Sequence, residues 1–215
     1  MTEELSRLSC SDFTEALSSR APVPGGGGAA ALMGALGASL CAMAGNLTSG
    51  KKKYAAREED LRRMTEAAQQ LRLRFLRLIG EDAEAFEPLS RAYSKPRSDP
   101  DYAQVMREAT LEACRAPLQM MECAGSAVVL LEEMCGACSP LMVSDVGCGA
   151  SAAGSALEAA AMNVRVNTRL LPGDTEAEEI QRRADTLLAD YLPRAQAVIA
   201  SVMEKLNEKT ERPKA

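Results

Sequence analysis

One acidic residue, Asp82, interrupts a row of apolar residues that recur at alternating steps of three and four. Such spacing keeps one stripe of a helix facing a neighbour, so every member is expected to be buried. The apolar members are Leu61, Met64, Ala68, Leu71, Phe75, Leu78, Ala85 and Leu89. Because burial of an unpaired carboxylate is costly, Asp82 is expected to find a partner, keep its proton at raised pH or line a polar pocket.

The chemistry open to Asp82 follows from these neighbours. An apolar wall raises the pKa of a carboxyl group towards the range that is useful for general acid–base catalysis. The alternative is a structural aspartate paired with one of the arginines. Glu81 and Glu84, on either side of Asp82 in the sequence, point to other faces of the same helix and are expected to be solvated.

Two motifs at the ends of an uncharged stretch, residues 21–50, could bind an anion. Four consecutive glycines at 25–28 lead into a helix, where free backbone N–H groups and the helix dipole favour an anion or a carbonyl oxygen. The alternative is a tight chain reversal that only glycine can adopt. Three lysines at 51–53 form either a solvated face or a grip on an anionic substrate tail.

Other polar residues allow both a structural and a functional interpretation. Ser144 and Asp145 are typical of a helix N-terminus, as the N-cap residue and a first-turn acid. Asn163 and Asn167 lie one helical turn apart in a largely apolar neighbourhood. Their amides either satisfy nearby backbone groups or recognise a heterocycle.

The composition excludes several kinds of active site. Among 215 residues there is no histidine, so a Ser-His-Asp or Cys-His arrangement and the His-based metal sites are excluded within this chain. A formal net charge of -5 argues against a general nucleic-acid binder. Seven cysteines, mostly in apolar segments, fit buried thiols in a reducing cytosol, and no second pair joins Cys135 and Cys138 in a zinc set. We therefore expect a cytoplasmic protein without a metal, and the first residues lack the basic start of a secretory signal.

The predicted fold class is all-α, because runs of alternating β-branched and aromatic residues are absent. We expect one domain over residues 1–215, a multihelical bundle with long antiparallel helices and two buried helices rich in Ala and Gly. The first helix is predicted at residues 11–19 and the long helix with Asp82 at 56–92. A capping box of Thr175 and Glu178 predicts the start of the last helix, and the charged tail from Glu208 is expected to fray.

The uncharged stretch at 21–50 is long enough to be a membrane span. Its residues are mostly Ala and Gly rather than Leu, Ile and Phe. Stripes of small residues let helix backbones approach closely, and a helix that is apolar all round belongs at the centre of a bundle. We therefore favour a buried helix.

Several motifs, taken in order along the chain, resemble the cyclodeaminase/cyclohydrolase family of folate enzymes. They are Pro-Val-Pro-Gly-Gly-Gly-Gly at 22–28, Asn-Leu-Thr at 46–48, Gly-Lys-Lys-Lys-Tyr at 50–54, Glu-Asp-Ala-Glu-Ala-Phe at 81–86 and Ser-Asp at 144–145. The family includes the C-terminal domain of formiminotransferase-cyclodeaminase and stand-alone bacterial methenyltetrahydrofolate cyclohydrolases. The similarity covers nearly the whole chain; residues 135–148 depart from the family pattern by their many Cys and Gly residues.

The resemblance implies an all-helical homodimer that takes a tetrahydrofolate derivative as substrate near the subunit interface, with no permanently bound cofactor. Two reactions are implied. In one, 5-formiminotetrahydrofolate cyclises to 5,10-methenyltetrahydrofolate with loss of ammonia; in the other, water opens the methenyl bridge to give 10-formyltetrahydrofolate. Asp82 is implied as the acid–base group of either reaction. The alternative is a non-catalytic folate-binding helical dimer or an accessory subunit of another enzyme.

The resemblance also implies a set of substrate-binding residues. They are Gly25, Gly26, Gly27, Gly28, Asn46, Lys51, Lys52, Lys53, Tyr54, Ser144, Asp145 and Asn163. The three lysines would hold the glutamate tail of folate, including its polyglutamylated form, and the other residues would shape the pterin cleft. No nucleic-acid or membrane partner is expected.

Overall fold

Most of the described chain is helical. The structure is a computed structural model and describes residues 5–208. Its elements are α1 (Cys10–Ser18), α2 (Gly26–Thr48), a 3-10 helix (Lys52–Arg57), α3 (Glu58–Tyr93), α4 (Tyr102–Ala137), a 3-10 helix (Pro140–Met142), α5 (Val143–Thr168) and α6 (Thr175–Asn207). No strand occurs within residues 5–208, and the predicted all-α, single-domain class is confirmed. The tail that is expected to fray begins at Glu208, the last described residue, and the rest of it, residues 209–215, lies outside the described part.

The uncharged helix α2 lies at the centre of the bundle, against α3, α4 and α5. By length and composition it could cross a membrane, but 61% of its most apolar window is buried inside the protein. Its small residues allow close packing, since a methyl group at Gly37 would lie 2.9 Å from the carbonyl oxygen of Gly149 in α5. In this fold α2 is therefore packed as a core helix.

The apolar stripe that contains Asp82 forms the inner face of α3. Six of its members are buried: Leu61, Met64, Ala68, Phe75, Leu78 and Leu89. Phe75 fills the space beside Gly34 of α2, where a methyl group would come within 2.3 Å of the ring. Packing of these neighbours fixes the rotation of α3 and so turns Asp82, which is partly buried, towards α2.

Two predicted helix caps are wrong. Ser144 lies inside α5, whose N-cap residue is Met142 and has no side-chain cap. Thr175 is the first residue of α6, and the N-cap is Asp174, whose side chain accepts hydrogen bonds from two backbone N–H groups of the first turn. A carboxylate one residue earlier is the better acceptor for these N–H groups, because it is charged and the helix dipole favours it.

Candidate active site

The carboxylate of Asp82 lies against the first turn of α2. Gly25 is the N-cap residue of this helix and has an extended backbone. A methyl group at Gly27 would come within 2.3 Å of Oδ1 and 2.4 Å of Oδ2 of Asp82. The backbone N–H of Gly28 donates a hydrogen bond to the same carboxylate. The glycine run therefore makes room for an anion at a helix N-terminus, and that anion is the protein's own side chain.

Two opposing effects act on the proton of Asp82. Burial raises its pKa, because the charged form loses solvation, whereas the hydrogen bond from the Gly28 N–H lowers it, because it stabilises the carboxylate. Burial has the larger effect, and the pKa of Asp82 rises from 3.8 to about 6. Within residues 5–208 no arginine pairs with Asp82, and no cation contributes to its pKa. A carboxyl group of this kind can both take and give a proton near neutral pH.

Asn163 approaches the same end of α2 from α5. Its Nδ2 donates a hydrogen bond to the carbonyl oxygen of Ala159 at 2.8 Å. Both amide heteroatoms lie 3.3 Å from the position that a methyl group at the exposed Gly26 would occupy. Asn167 has a different role, because its Nδ2 donates to the carbonyl oxygen of Ala113 at 3.0 Å and so ties α5 to α4. The structure thus brings together the glycine run, Asp82 and Asn163.

The other predicted binding residues lie at the opposite end of α2 and α5. They are Asn46, Lys51, Lys52, Lys53, Tyr54, Ser144 and Asp145. The three lysines are exposed, and Lys53 Nζ lies 5.7 Å from the centroid of the Tyr54 ring. α2 has 23 residues, and at 1.5 Å per residue it is ~34 Å long. One chain therefore does not bring the lysine cluster and Asp82 into a single cleft.

Of the cysteines near that far end, Cys41 and Cys135 are buried, Cys138 is partly buried and Cys148 is exposed. Burial raises the pKa of Cys41 to about 12 and that of Cys138 to about 11, so both stay protonated at neutral pH. Cys135 and Cys138 are both free. In the described part of the chain, no group of three or more Cys, Asp or Glu side chains is placed to hold a metal ion.

Comparison with known proteins decides the family. A sequence profile described as formiminotransferase-cyclodeaminase matches residues 9–186, which is most of the chain and includes Asp82, the glycine run and Asn163. The chain belongs to this family. The predicted resemblance is therefore confirmed.

Members of the formiminotransferase-cyclodeaminase family resemble the chain to different extents. The methenyltetrahydrofolate cyclohydrolase of Methylorubrum extorquens is 35% identical over 91% of this chain and 96% of its own length. The formimidoyltransferase-cyclodeaminase of Mus musculus is 28% identical over 88% of this chain but only 36% of its own length. The crystal structure of formiminotetrahydrofolate cyclodeaminase from Thermotoga maritima has a TM-score of 0.81 and 25% identity, covering 94% of this chain and 97% of that one.

Sequence reasoning misses two features around Asp82 in this family member. The Glu81 side chain stays 40% exposed, in line with the expectation that it is solvated, but it is also paired: Nη2 of Arg74 donates to its carboxylate at 2.8 Å. Glu84 is exposed as predicted, but it lines a cavity beside the turn at Pro22 and Val23. A cavity between distant segments has no local sequence signal, so only the packed helices can reveal it.

Proposed function

We propose that this protein is a folate one-carbon enzyme that hydrolyses 5,10-methenyltetrahydrofolate to 10-formyltetrahydrofolate. The observation that carries the proposal is the Asp82 carboxyl group, held at the glycine N-terminus of α2 with a pKa of about 6. The Methylorubrum extorquens relative, which is similar over almost its whole length, is named for this cyclohydrolase activity. Site geometry and family membership therefore support the same reaction.

In the proposed hydrolysis, water attacks the cationic carbon between N5 and N10. Asp82, as a carboxylate, takes a proton from the water while the C–O bond forms, and its charge stabilises the amidinium-like centre before attack. The protonated carboxyl group then gives this proton to N5 as the C–N5 bond breaks. The hydroxyl proton leaves to solvent as the formyl group forms on N10, so one water is consumed and one proton is released.

Cyclodeamination is a second candidate, favoured by the similarity to the Thermotoga maritima cyclodeaminase over nearly the whole chain. Here N10 of 5-formiminotetrahydrofolate attacks the amidine carbon, and ammonia leaves. The same side chain would take the N10 proton and protonate the departing nitrogen. The two reactions differ in nucleophile and leaving group but share the amidinium-like carbon that Asp82 would face.

A homodimer would complete the proposed site. α2 and α5 are antiparallel, because Gly26 lies beside Asn163 while the backbone N–H of Ser139 donates to Thr48 Oγ1 at 2.9 Å. Their outer face exposes large apolar side chains, namely Leu36, Met43, Leu47, Met162 and Val166. Exposed apolar patches of this kind mark interaction surfaces.

Two-fold pairing of this face would join the two separated groups of residues. An axis perpendicular to antiparallel helices places the lysine end of one copy beside the Asp82 end of the other. The lysines at 51–53 of one copy would then reach the glutamate tail of a folate whose one-carbon bridge lies at Asp82 of the second copy. A polyglutamylated folate, with more carboxylates, would benefit most.

We further propose that the enzyme needs no permanently bound cofactor and works in the cytoplasm. The reaction that we assign to Asp82 involves only water, the substrate and a carboxyl group, so no step asks for a metal or a nucleotide. The rival to this proposal is a folate-binding helical dimer, or an accessory subunit, that catalyses nothing.

A two-substrate assay separates these alternatives. Methenyltetrahydrofolate absorbs in the near ultraviolet, so decay of its band above the spontaneous rate reports hydrolysis. Growth of the same band from 5-formiminotetrahydrofolate reports cyclodeamination. We expect the purified protein to accelerate decay; binding of either folate without any rate enhancement would support the non-catalytic rival instead.

A further inference from the structure

A cavity lies next to the Asp82 site, on a neighbouring face of α3 that includes Ala83 but not Asp82 itself. It has a volume of about 410 Å³, and its walls come from Leu5 and Leu8, from the turn at Pro22 and Val23, and from one face of α3 between Gly80 and Ser90. Ligand cavities commonly have volumes of about 300–1,000 Å³, so there is room for a bicyclic ring.

The cavity lies at the same height along α3 as Asp82. Ala83 lines it, and one residue along a helix corresponds to a quarter turn and a rise of about 1.5 Å. On its other side, Val23 is followed by Pro24, whose Cβ would lie 3.1 Å from a methyl group at Gly28. The same short turn therefore walls the cavity and leads into the glycine run that holds the carboxylate.

The lining is mostly apolar but carries two glutamates on its α3 side. Glu87 lies 3.8 Å from Arg91 in an exposed ion pair. Among residues 5–208, no hydrogen bond or ion pair is made by the side chain of Glu84, a residue that lines the cavity. A carboxylate presents two oxygens side by side, and it binds most strongly to a planar group with two parallel N–H donors.

We propose that this cavity binds the pteridine end of the substrate, with Glu84 accepting hydrogen bonds from the ring N3–H and the 2-amino group. This inference rests on the proposed function at Asp82. The pteridine ring is flat, and its edge with N3–H and the 2-amino group is uncharged. Its two faces would therefore pack against the apolar walls, while the N–H donors of that edge would bind the Glu84 carboxylate. Its N5 then points from the cavity towards Asp82, one quarter turn around α3.

The negative charge of the cavity also determines which end of the folate substrate can enter it. A glutamate tail placed here would bring its carboxylates against Glu84 and Glu87, and repulsion between like charges opposes that arrangement. The tail therefore leaves on the far side of Asp82, towards solvent or towards a second copy. Recognition of the two ends of one folate is thus divided between a negative cavity and a positive surface.

Two fragments of the substrate test this assignment separately from catalysis. One is 6-methyltetrahydropterin, which has the ring but no arylglutamate; the other is p-aminobenzoylglutamate, which has no pteridine. Binding of each would be measured calorimetrically to the wild type and to two variants, Glu84→Gln, which removes the charge, and Ala83→Leu, which fills the cavity. Glu59→Gln makes the same chemical change on the same helix, 25 residues and ~37 Å away, and serves as control.

We expect the Kd of the tetrahydropterin to rise at least about tenfold in both variants, on the scale of a charged hydrogen-bonded contact. The control should leave it unchanged, and p-aminobenzoylglutamate should bind all four proteins alike. Three results would overturn the assignment. The first is an unaltered tetrahydropterin Kd in Glu84→Gln, and the second is a selective loss of p-aminobenzoylglutamate binding in Ala83→Leu. The third is a wild type that turns over methenyltetrahydrofolate without binding the tetrahydropterin. Because Glu84 is exposed, its variant remains informative even if Ala83→Leu fails to fold.

These results are independent of the turnover assay. A protein that hydrolyses methenyltetrahydrofolate but binds the tetrahydropterin equally well as wild type and as Glu84→Gln keeps the proposed function and loses the pteridine site. A protein that lacks turnover altogether loses the proposed function, and with it the inference that depends on it.

Discussion

Gly27 and Asp82, which are 55 positions apart in the sequence, are in direct contact. Both carboxylate oxygens of Asp82 lie where a side chain at position 27 would begin, 2.3 and 2.4 Å from a methyl carbon. The contact joins the second residue of α2 to the inner face of α3. Its geometry makes the absence of a side chain at 27 a requirement for the position of the acid–base group, and the first prediction follows from it.

Gly27→Ala is expected to reduce turnover of methenyltetrahydrofolate by about 10- to 100-fold, since a displacement of about 1 Å of a catalytic group has effects of this size. The added methyl group must push the Asp82 carboxylate away from the Gly28 N–H. Steady-state kinetics would measure the change. Gly136→Ala is the matched control, because nothing lies within 4 Å of a methyl group there, and its turnover should equal that of the wild type. Equal activity of both variants would show that the contact has no catalytic importance.

Asp82→Asn is expected to keep the fold and to lose turnover by about 100-fold or more, the usual scale for a general acid–base group. In the wild type the carboxylate form is the base, so kcat/KM should rise with pH and level off above an apparent pKa of about 6. The residual kcat/KM of the variant should not show this fall at low pH. A wild-type profile that is flat between pH 5 and 8, or near-normal turnover of the variant, would contradict the role of Asp82.

The raised pKa of Asp82 also predicts how stability changes with pH. Between pH 4 and 6 the folded state binds more protons than the unfolded chain, so the free energy of unfolding falls as pH rises through this window. Asp82→Asn removes the charge and should be more stable than the wild type at pH 7 by roughly 1–3 kcal/mol. At pH 4 the two proteins should unfold alike in urea. A variant that is less stable than the wild type at pH 7 would mean that the carboxylate is a net stabilising group.

Replacement of the three lysines at 51–53 by alanine is expected to raise KM for a polyglutamylated folate by about tenfold, the summed scale of three exposed charge contacts. Turnover number should change little, because these residues would contact the glutamate tail and not the reacting carbon. The difference in KM between the variant and the wild type should become smaller as salt is added, since exposed charges are screened. An equal rise in KM for a folate that lacks glutamate would argue against a role in holding the tail.

A site shared between two copies predicts complementation. Asp82→Asn and the triple lysine variant would each be poor catalysts at low concentrations of polyglutamylated folate. Mixed and allowed to exchange subunits, they should regain activity, up to about a quarter of the wild-type value, because half of the dimers then have one intact site of two. Leu36→Glu, which places a charge on the exposed apolar face, should give a monomer that does not complement. No recovery from a mixture that does form mixed dimers would place the complete site within one chain.

The amino-acid sequence determined the helical class, the inward position of Asp82 and the family. These properties depend on spacing within one helix or on contiguous motifs, as in the stripe from Leu61 to Leu89. Helix ends were predicted less well, as at Thr175, because the choice between adjacent polar caps depends on small differences in hydrogen bonding.

Only the tertiary structure decided which predicted residues share a site. Asn163 and the glycine run meet because α5 runs antiparallel to α2, whereas the lysines at 51–53 are carried about 34 Å away by the length of the same helix. The cavity at Glu84 also exists only after α1, the Pro22 turn and α3 have packed. Periodicity shows which face of a helix is buried, but it contains no term for the order, direction and spacing of helices in a bundle, and these three quantities set the distances between side chains.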